Sequence, residues 1–333
     1  MAKHINFLAI GDTTVDNFIL LKDAHLFCNI NNENCELCVK FGQKIPYINS
    51  TLVYATGNSA NAAICARRLG LSSALVSSVG NDLNGKNCLN TLKEESIVRK
   101  FIKINKDGKP TNYHFVLRYE GERTILVKHE SFDYFLPKKN TKVDWVYFSS
   151  IGEHSLPFHH EIVNWLKKKP ETKLAFQPGT FQIKLGTDEL KDIYGRTELF
   201  LSNKEEAQNI LKTEEADIKE LITGIHKLGP KKVVITDGKN GLNASDGENI
   251  YFLPMFPNPK APVEATGAGD AASATIVVML AMGMDFKKAL TYGPINAMSV
   301  VQEIGAQKGL LNKAQIEKYL QNAPKDYFIQ EIK

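Results

Sequence analysis

The stretch Val263-Glu264-Ala265-Thr266-Gly267-Ala268-Gly269-Asp270-Ala271-Ala272-Ser273 decides how this chain is read. A turn of small residues ends in an aspartate and leads directly into an apolar helical segment, residues 271–284. Small residues let backbone N–H groups approach an anion, and a helix N-terminus adds about half a positive charge. An aspartate beside such an anion hole can take the proton of a hydroxyl that attacks phosphorus. Taken alone, residues 267–270 would also describe a tight turn with an Asp N-cap.

Outward from this turn, the chain alternates short apolar runs with helical patterns. Residues 5–10, 73–79, 145–149, 173–176, 199–201 and 232–236 read as strands. Between the first two, Ala62, Cys65, Ala66 and Leu69 fall at i, i+3, i+4 and i+7, the spacing of one helix face. Near-continuous apolar strands alternating with helices imply a parallel sheet covered on both faces, an α/β architecture. Two stretches break the rhythm. Residues 99–136 alternate in strand fashion around Glu120-Gly121-Glu122 and read as a hairpin, while residues 17–55 are irregular and hold an Asn-rich loop. Both are expected to form a small β lid over one domain spanning residues 1–333.

Composition excludes other classes. The 333 residues are 43% hydrophobic and 23% charged, ordinary for a globular chain with a large core. A net charge of +4 suits a small anionic ligand and gives no case for nucleic acid or a membrane surface. The longest apolar stretch is short of the roughly 20 residues a spanning helix needs. Residues 1–12 read as a strand and a Gly turn, without a signal-peptide pattern, so a cytoplasmic protein with reduced cysteines is expected.

Further motifs occur in a fixed order. Gly11-Asp12-Thr13-Thr14-Val15-Asp16 follows the first strand, and Thr56-Gly57-Asn58-Ser59-Ala60-Asn61-Ala62-Ala63 opens the first helix. Then come Gly80-Asn81-Asp82 with Gly85, Asn203-Lys204-Glu205-Glu206, Thr236-Asp237-Gly238-Lys239-Asn240-Gly241, Asn296-Ala297 and Gly305-Ala306. Together with residues 263–270 they resemble the signature segments of the PfkB (ribokinase-like) family of sugar and nucleoside kinases, over nearly the whole chain. The resemblance implies a three-layer Rossmann-like sandwich with a mostly parallel central sheet and a small β lid.

It also implies roles. Asp270 would be the base that activates the acceptor hydroxyl, with the amides of Gly267, Ala268 and Gly269 as the anion hole for the γ-phosphoryl group of ATP. Asp16, Gly57, Asn58 and Asn61 would line the acceptor pocket, with Glu153 a further acceptor-side candidate. Asn203, Thr236, Gly238, Gly241 and Asn296 would lie along the nucleotide, and Glu206 would hold Mg²⁺ through water. Asn203 and Glu206 also fit a helix capping box. Three departures stand out: Glu264 replaces an Asp near the family's monovalent-cation site, which puts K⁺ activation in question. Thr56 replaces a Gly, and Ala272 replaces a Phe.

His25, Cys28, Cys35 and Cys38 form two pairs of soft ligands, each spaced by two residues, and are expected to close a structural Zn²⁺ site in the lid. Free thiols on a loop are the plainer alternative. The acceptor expected is a hydroxymethyl group on a sugar. A nucleoside, for which Tyr47, Tyr54, Tyr113 and Phe115 offer aromatic walls, is the second reading, and a non-catalytic binding protein the third. Lid strands could also pair two copies into a homodimer.

Overall fold

The structure, a computed structural model, describes residues 4–28 and 35–332. Its centre is a sheet of ten strands whose side chains alternate between two apolar cores. Trp145 and Tyr147 enter one core, Val146 and Phe148 the other; Leu199 and Leu201 are likewise separated from Phe200. The period-2 pleat produces this division, and burial on both faces explains why these strands read as unbroken apolar runs. Helices Asn58–Arg68, Ala268–Ala281 and Gly293–Val300 cover one face. Leu156–Lys167, Lys204–Leu211 and Ile218–Lys227 cover the other, completing three layers.

From one edge the strands run Val98–Asn105, Ser73–Gly80, Ile5–Ile10, Val143–Phe148, Lys173–Phe176, Leu199–Asn203 and Lys232–Thr236, all parallel. Leu242–Ser245, Ile250–Leu253 and Gln330–Ile332 continue the sheet antiparallel. From Ile5–Ile10 the chain moves to one side, through Ser73–Gly80 and Val98–Asn105, and then returns to the other, starting at Val143–Phe148. The order therefore switches between Ile5–Ile10 and Val143–Phe148, and a crevice opens beyond the carboxyl ends of strands at such a point.

A second sheet of four strands, ordered Tyr47–Thr56, Thr14–Leu21, Tyr113–Tyr119 and Glu122–Leu126, forms the lid. The hairpin turns at Glu120 (φ 48°) and Gly121 (φ 85°). Residues 99–105, expected in the lid, instead belong to Val98–Asn105, the edge strand of the main sheet beside Ser73–Gly80, so the lid's second part begins at Tyr113. Lid register places Asp16 opposite His114 and Phe18 opposite Val116 on one face. Asn17, Phe115 and Leu126 share the other.

The zinc expectation is overturned. Strands His25–Phe27 and Glu36–Cys38 pair His25 with Cys38, Leu26 with Leu37 and Phe27 with Glu36. The next pair in that register is Cys28 and Cys35, and these two are joined by a disulfide. The spacing read as a metal-ligand pattern is thus hairpin arithmetic, which uses two of the four sulfur and nitrogen ligands. Among the described residues no group of three metal-binding side chains remains. Residues 29–34, the Asn-rich loop, lie outside the described residues.

Candidate active site

The carboxyl ends of the parallel strands and the residues just beyond them build the crevice. Asp12 follows the first strand, Gln177 follows Lys173–Phe176, Asn203 ends Leu199–Asn203 and Thr236 ends Lys232–Thr236. Helix Asn58–Arg68 packs along helix Ala268–Ala281, eight consecutive residues of the first and nine of the second being buried. Small side chains allow this close approach, which brings the two helix N-termini together.

Asp270 lies in the first turn of its helix, which begins at Ala268 and not after the aspartate as the sequence suggested. Gly267 caps it with left-handed backbone (φ 82°), and a Cβ there would meet the Ala306 Cβ at 2.2 Å. Only glycine satisfies both conditions. Asn58 and Asn61, at i and i+3 on one helix face, donate to opposite oxygens of Asp270 at 2.9 and 3.0 Å. Gln177 adds a third donor at 3.3 Å and itself accepts the Tyr147 hydroxyl proton. Burial pushes the Asp270 carboxyl above its ordinary range and the field of Asp16 adds to this, while the Asn61, Gln177 and Asn58 amides oppose it. The amide of Ala268 is turned toward Ala265 O at 3.4 Å. The remaining first-turn donors are the ones an anion would take.

Asp16 sits on the lid strand Thr14–Leu21, buried, with Thr14 Oγ1 3.1 Å and His114 Nδ1 3.3 Å from its Oδ1. His114 Nε2 lies 3.3 Å from His129 Nε2, and His129 Nδ1 lies 2.7 Å from Asp12 Oδ2. Tyr134 donates to the other Asp12 oxygen at 2.5 Å. Gly57 (φ 97°) caps helix Asn58–Arg68, where a Cβ would come within 2.7 Å of Asp12 O. Thr56, the departure from glycine, keeps ordinary backbone; Ala55 takes the left-handed conformation (φ 56°). The Thr56 hydroxyl lies 2.7 Å from that of Thr14.

On the opposite side, Asn203 and Glu206 form the reciprocal capping box: Glu206 N donates to Asn203 Oδ1 at 2.7 Å and Asn203 N to Glu206 Oε2 at 2.8 Å. Burial pushes the Glu206 carboxyl upward, and Asp270 and Glu205 reinforce this against the Asn203 amide. Thr236 leads into the turn Gly238–Asn240, closed by Asp237 N to Gly241 O at 2.8 Å. Glu264 is buried, accepting from Thr266 N at 2.6 Å and Gly305 N at 3.3 Å, with Arg123 Nε at 4.0 Å. Arg118, two strand positions beyond Val116 on the lid's inner face, donates to Val263 O at 2.8 Å.

Two expectations fail on geometry. Asn296 is fully buried: its Nδ2 donates to Thr275 Oγ1 at 2.8 Å and its Oδ1 accepts from Leu311 N at 2.9 Å. It ties the core together and has no free polar atom for an adenine. Glu153 is exposed on a turn, and the residue of that loop that faces Asp12 is Gly152.

Residues 26–313 match the pfkB family carbohydrate kinase family. The chain belongs to the pfkB family. Its relatives include the ribokinase of Bacillus subtilis, 28% identical over 278 residues, 79% of this chain and 87% of that protein. The fold is that of the Methanocaldococcus jannaschii nucleoside kinase, with a TM-score of 0.75 at 17% identity over 96% of this chain and 99% of the other. A putative ribokinase II from E. coli, solved in complex with ATP and Mg²⁺, has a TM-score of 0.73 at 18% identity over 95% and 99%. PfkB family kinases are phosphotransferases that act on hydroxyl groups, and this chain is one of them. Among the described residues no helix is long and apolar enough to cross a membrane.

Sequence reading of this pfkB family chain missed Gln177, Asp12 and His129 as site residues. Gln177 had a usable signal, since it is the first polar residue after an apolar strand whose end faces the crevice. His129 had none, because residues 127–136, expected to belong to the lid hairpin, form no strand and carry no motif.

Proposed function

We propose that the chain transfers the γ-phosphoryl group of ATP to a hydroxymethyl group of a sugar. The observation that carries this reading is the carboxylate of Asp270, set in a helix N-terminal turn and clamped by Asn58, Asn61 and Gln177. Asp270 takes the proton of the acceptor hydroxyl, the oxygen forms a bond to the γ-phosphorus, and the bond from that phosphorus to the β-phosphate oxygen breaks to release ADP. First-turn amides at Gly267 and Gly269 take up the negative charge on the transferring group. Ala268, with its amide turned to Ala265 O, contributes less. Gly57 keeps the floor of the acceptor pocket open to the Asp12 backbone.

The donors beside the nucleotide are oxygens only. Glu206 keeps one carboxylate oxygen outside its capping box, a set that suits Mg²⁺ held through water. When bound, Mg²⁺ offsets the charge on the phosphoryl oxygens. Glu206 and Asn203 would hold it, and Thr236, Gly238 and Gly241 would border the nucleotide.

A nucleoside acceptor is the second reading. Tyr113 and Phe115 share the lid face opposite Asp16, which favours the sugar, whereas Phe181, edge-on to His129 at 5.4 Å, offers a base an aromatic surface on the Asp16 side. On the lid's outer face Leu52, Phe115 and Leu126 are exposed, which supports a second copy pairing there. Light scattering on the purified protein reads that state, with a monomer at all concentrations as the contrary result. ATP turnover with Mg²⁺ against panels of sugars and nucleosides tests the main reading. Phosphorylation of a sugar at its hydroxymethyl group is expected, and nucleosides alone reacting would replace it with the second reading.

A further inference from the structure

We infer that His159 is a positioning residue: through Gln182 it bolts together two neighbouring loops of the crevice and so holds Gln177 against Asp270. The inference rests on the kinase reading for what that carboxylate does. Both side chains are buried, His159 on helix Leu156–Lys167 and Gln182 on the short helix Thr180–Leu185. Four hydrogen bonds run through them in one direction. Gly179 N donates to Gln182 Oε1 at 2.8 Å and Gln182 Nε2 to His159 Nε2 at 3.2 Å. His159 Nδ1 then donates to Ser155 O at 2.7 Å, and Ser155 Oγ to Gly152 O at 2.6 Å. Backbone groups fix every proton between them. The Gly179 N–H only donates, so it takes the oxygen of the Gln182 amide and leaves the nitrogen for His159. The Ser155 carbonyl only accepts, so His159 Nδ1 carries a proton and Nε2 is the bare acceptor. One neutral tautomer satisfies the chain. Burial pushes the His159 imidazole down to about 4 and His160 adds to this, against the Ser155 carbonyl, so the ring stays neutral.

The two loops follow Val143–Phe148 and Lys173–Phe176, neighbouring strands of the main sheet. In the first loop the chain of hydrogen bonds ends at Gly152, beside Asp12 Oδ2. The second begins at Gln177, whose backbone N–H is held by Phe148 O at 2.9 Å and whose side-chain amide donates to Asp270. Helix Thr180–Leu185 follows it and has only six residues, too few to stay in place without tertiary contacts. Its seat sets two groups of the site: Gln177, just before its cap, and Phe181, edge-on to His129. The space around the bolt is full. Ser150 occupies the place of a Gly179 side chain, and the Phe148 ring meets the imidazole with centres 4.9 Å apart. An apolar ring at position 159 would fill that space equally well, so what His159 adds is its two nitrogens. Without Nε2 the buried Gln182 amide loses its partner. The cap at Gly179 then loosens, and Gln177, already 3.3 Å from Asp270, moves away from it.

Two variants separate the link from the fold. In His159→Gln the side-chain oxygen reaches the place of Nε2 and accepts from Gln182, while the bond to Ser155 O is lost. In His159→Asn the amide nitrogen takes the place of Nδ1 and keeps Ser155 O, while Gln182 is left without a partner. Both side chains are smaller than imidazole, so both variants lose stability. Hydrogen exchange on the whole protein without ligands is the first readout. The Gly179 N–H should be protected in wild type and in His159→Gln, and should exchange about tenfold faster in His159→Asn. With the acceptor identified, His159→Asn should lower kcat about tenfold, since small displacements at a reacting group are felt in the rate. Its ATP KM should stay within about twofold, and His159→Gln should recover most of the lost kcat. A merely structural role would destabilise both variants and leave their kcat values equal. Equal kcat in the two variants, or equal exchange at Gly179, overturns the proposal. So does a nitrogen-15 spectrum of the wild type with the proton on His159 Nε2. Exchange and spectrum need no turnover. If both come out as expected and no acceptor is phosphorylated, the kinase reading falls and the bolt between the loops stands.

Discussion

Asn58 and Asp270 lie 212 residues apart in the chain and meet through a 2.9 Å hydrogen bond from Nδ2 to Oδ1. With Asn61 on the other oxygen, the first helix of the chain holds the proposed base carried by the last long one. Burial raises the pKa of Asp270 and the amides lower it. The proposed base works only when deprotonated, so kcat should fall as pH drops through a value above the ordinary carboxylate range. Asn58→Ala removes a lowering donor. Its kcat should drop about tenfold, and the acid limb of its pH profile should move to higher pH. A limb that stays in place would show that Asn58 does not act on the base.

Gly267 has no room for a side chain and uses backbone that L-residues rarely adopt. Gly267→Ala should therefore displace the first turn against Ala306, lower kcat by about a hundredfold or more, and cost roughly 1–3 kcal/mol of stability. Steady-state rates and chemical unfolding report the two effects separately.

Glu264 spends its carboxylate oxygens on the amides of Thr266 and Gly305, with Arg123 supplying the nearest positive charge. Turnover should accordingly differ less than about twofold between K⁺ and Na⁺ salts at equal ionic strength. Arg123→Met leaves a buried carboxylate without that charge and should lower stability by about 1–3 kcal/mol. Strong activation by K⁺ in the wild type would mean that a cation, and not Arg123, completes this corner.

Thiol titration checks the lid hairpin. Denatured, unreduced protein should show three reactive thiols, from Cys38, Cys65 and Cys88, and five after reduction. Stoichiometric zinc uptake by the native protein would reinstate the metal that the disulfide displaces.

Much of the fold was legible because each parallel strand is buried on both faces and therefore announces itself as an apolar run; residues 5–10, 173–176 and 232–236 coincide with strands Ile5–Ile10, Lys173–Phe176 and Lys232–Thr236. The glycines of the site were legible for a related reason, since a cap with no space for Cβ admits no other residue. What the sequence did not reveal depends on partners distant along the chain. Asn296 looks polar and available, yet Thr275 and Leu311 consume it in the core. The edge strand Val98–Asn105 alternates like a lid strand because only part of its surface is covered. The cysteine spacing fits a metal as well as a hairpin, and only the register of His25 with Cys38 separates them. The imidazole pair joins a lid strand to a loop, a contact no local pattern encodes.

The most direct measurement is transfer of labelled γ-phosphate from ATP to the acceptor by wild type and Asp270→Asn, with ATP binding and folding measured on both. Asparagine is nearly isosteric and cannot take a proton, so the account predicts a loss of a hundredfold or more in kcat, with ATP affinity within about twofold. A variant that transfers phosphate as fast as the wild type would contradict it, because the carboxylate at position 270 would then not be the base.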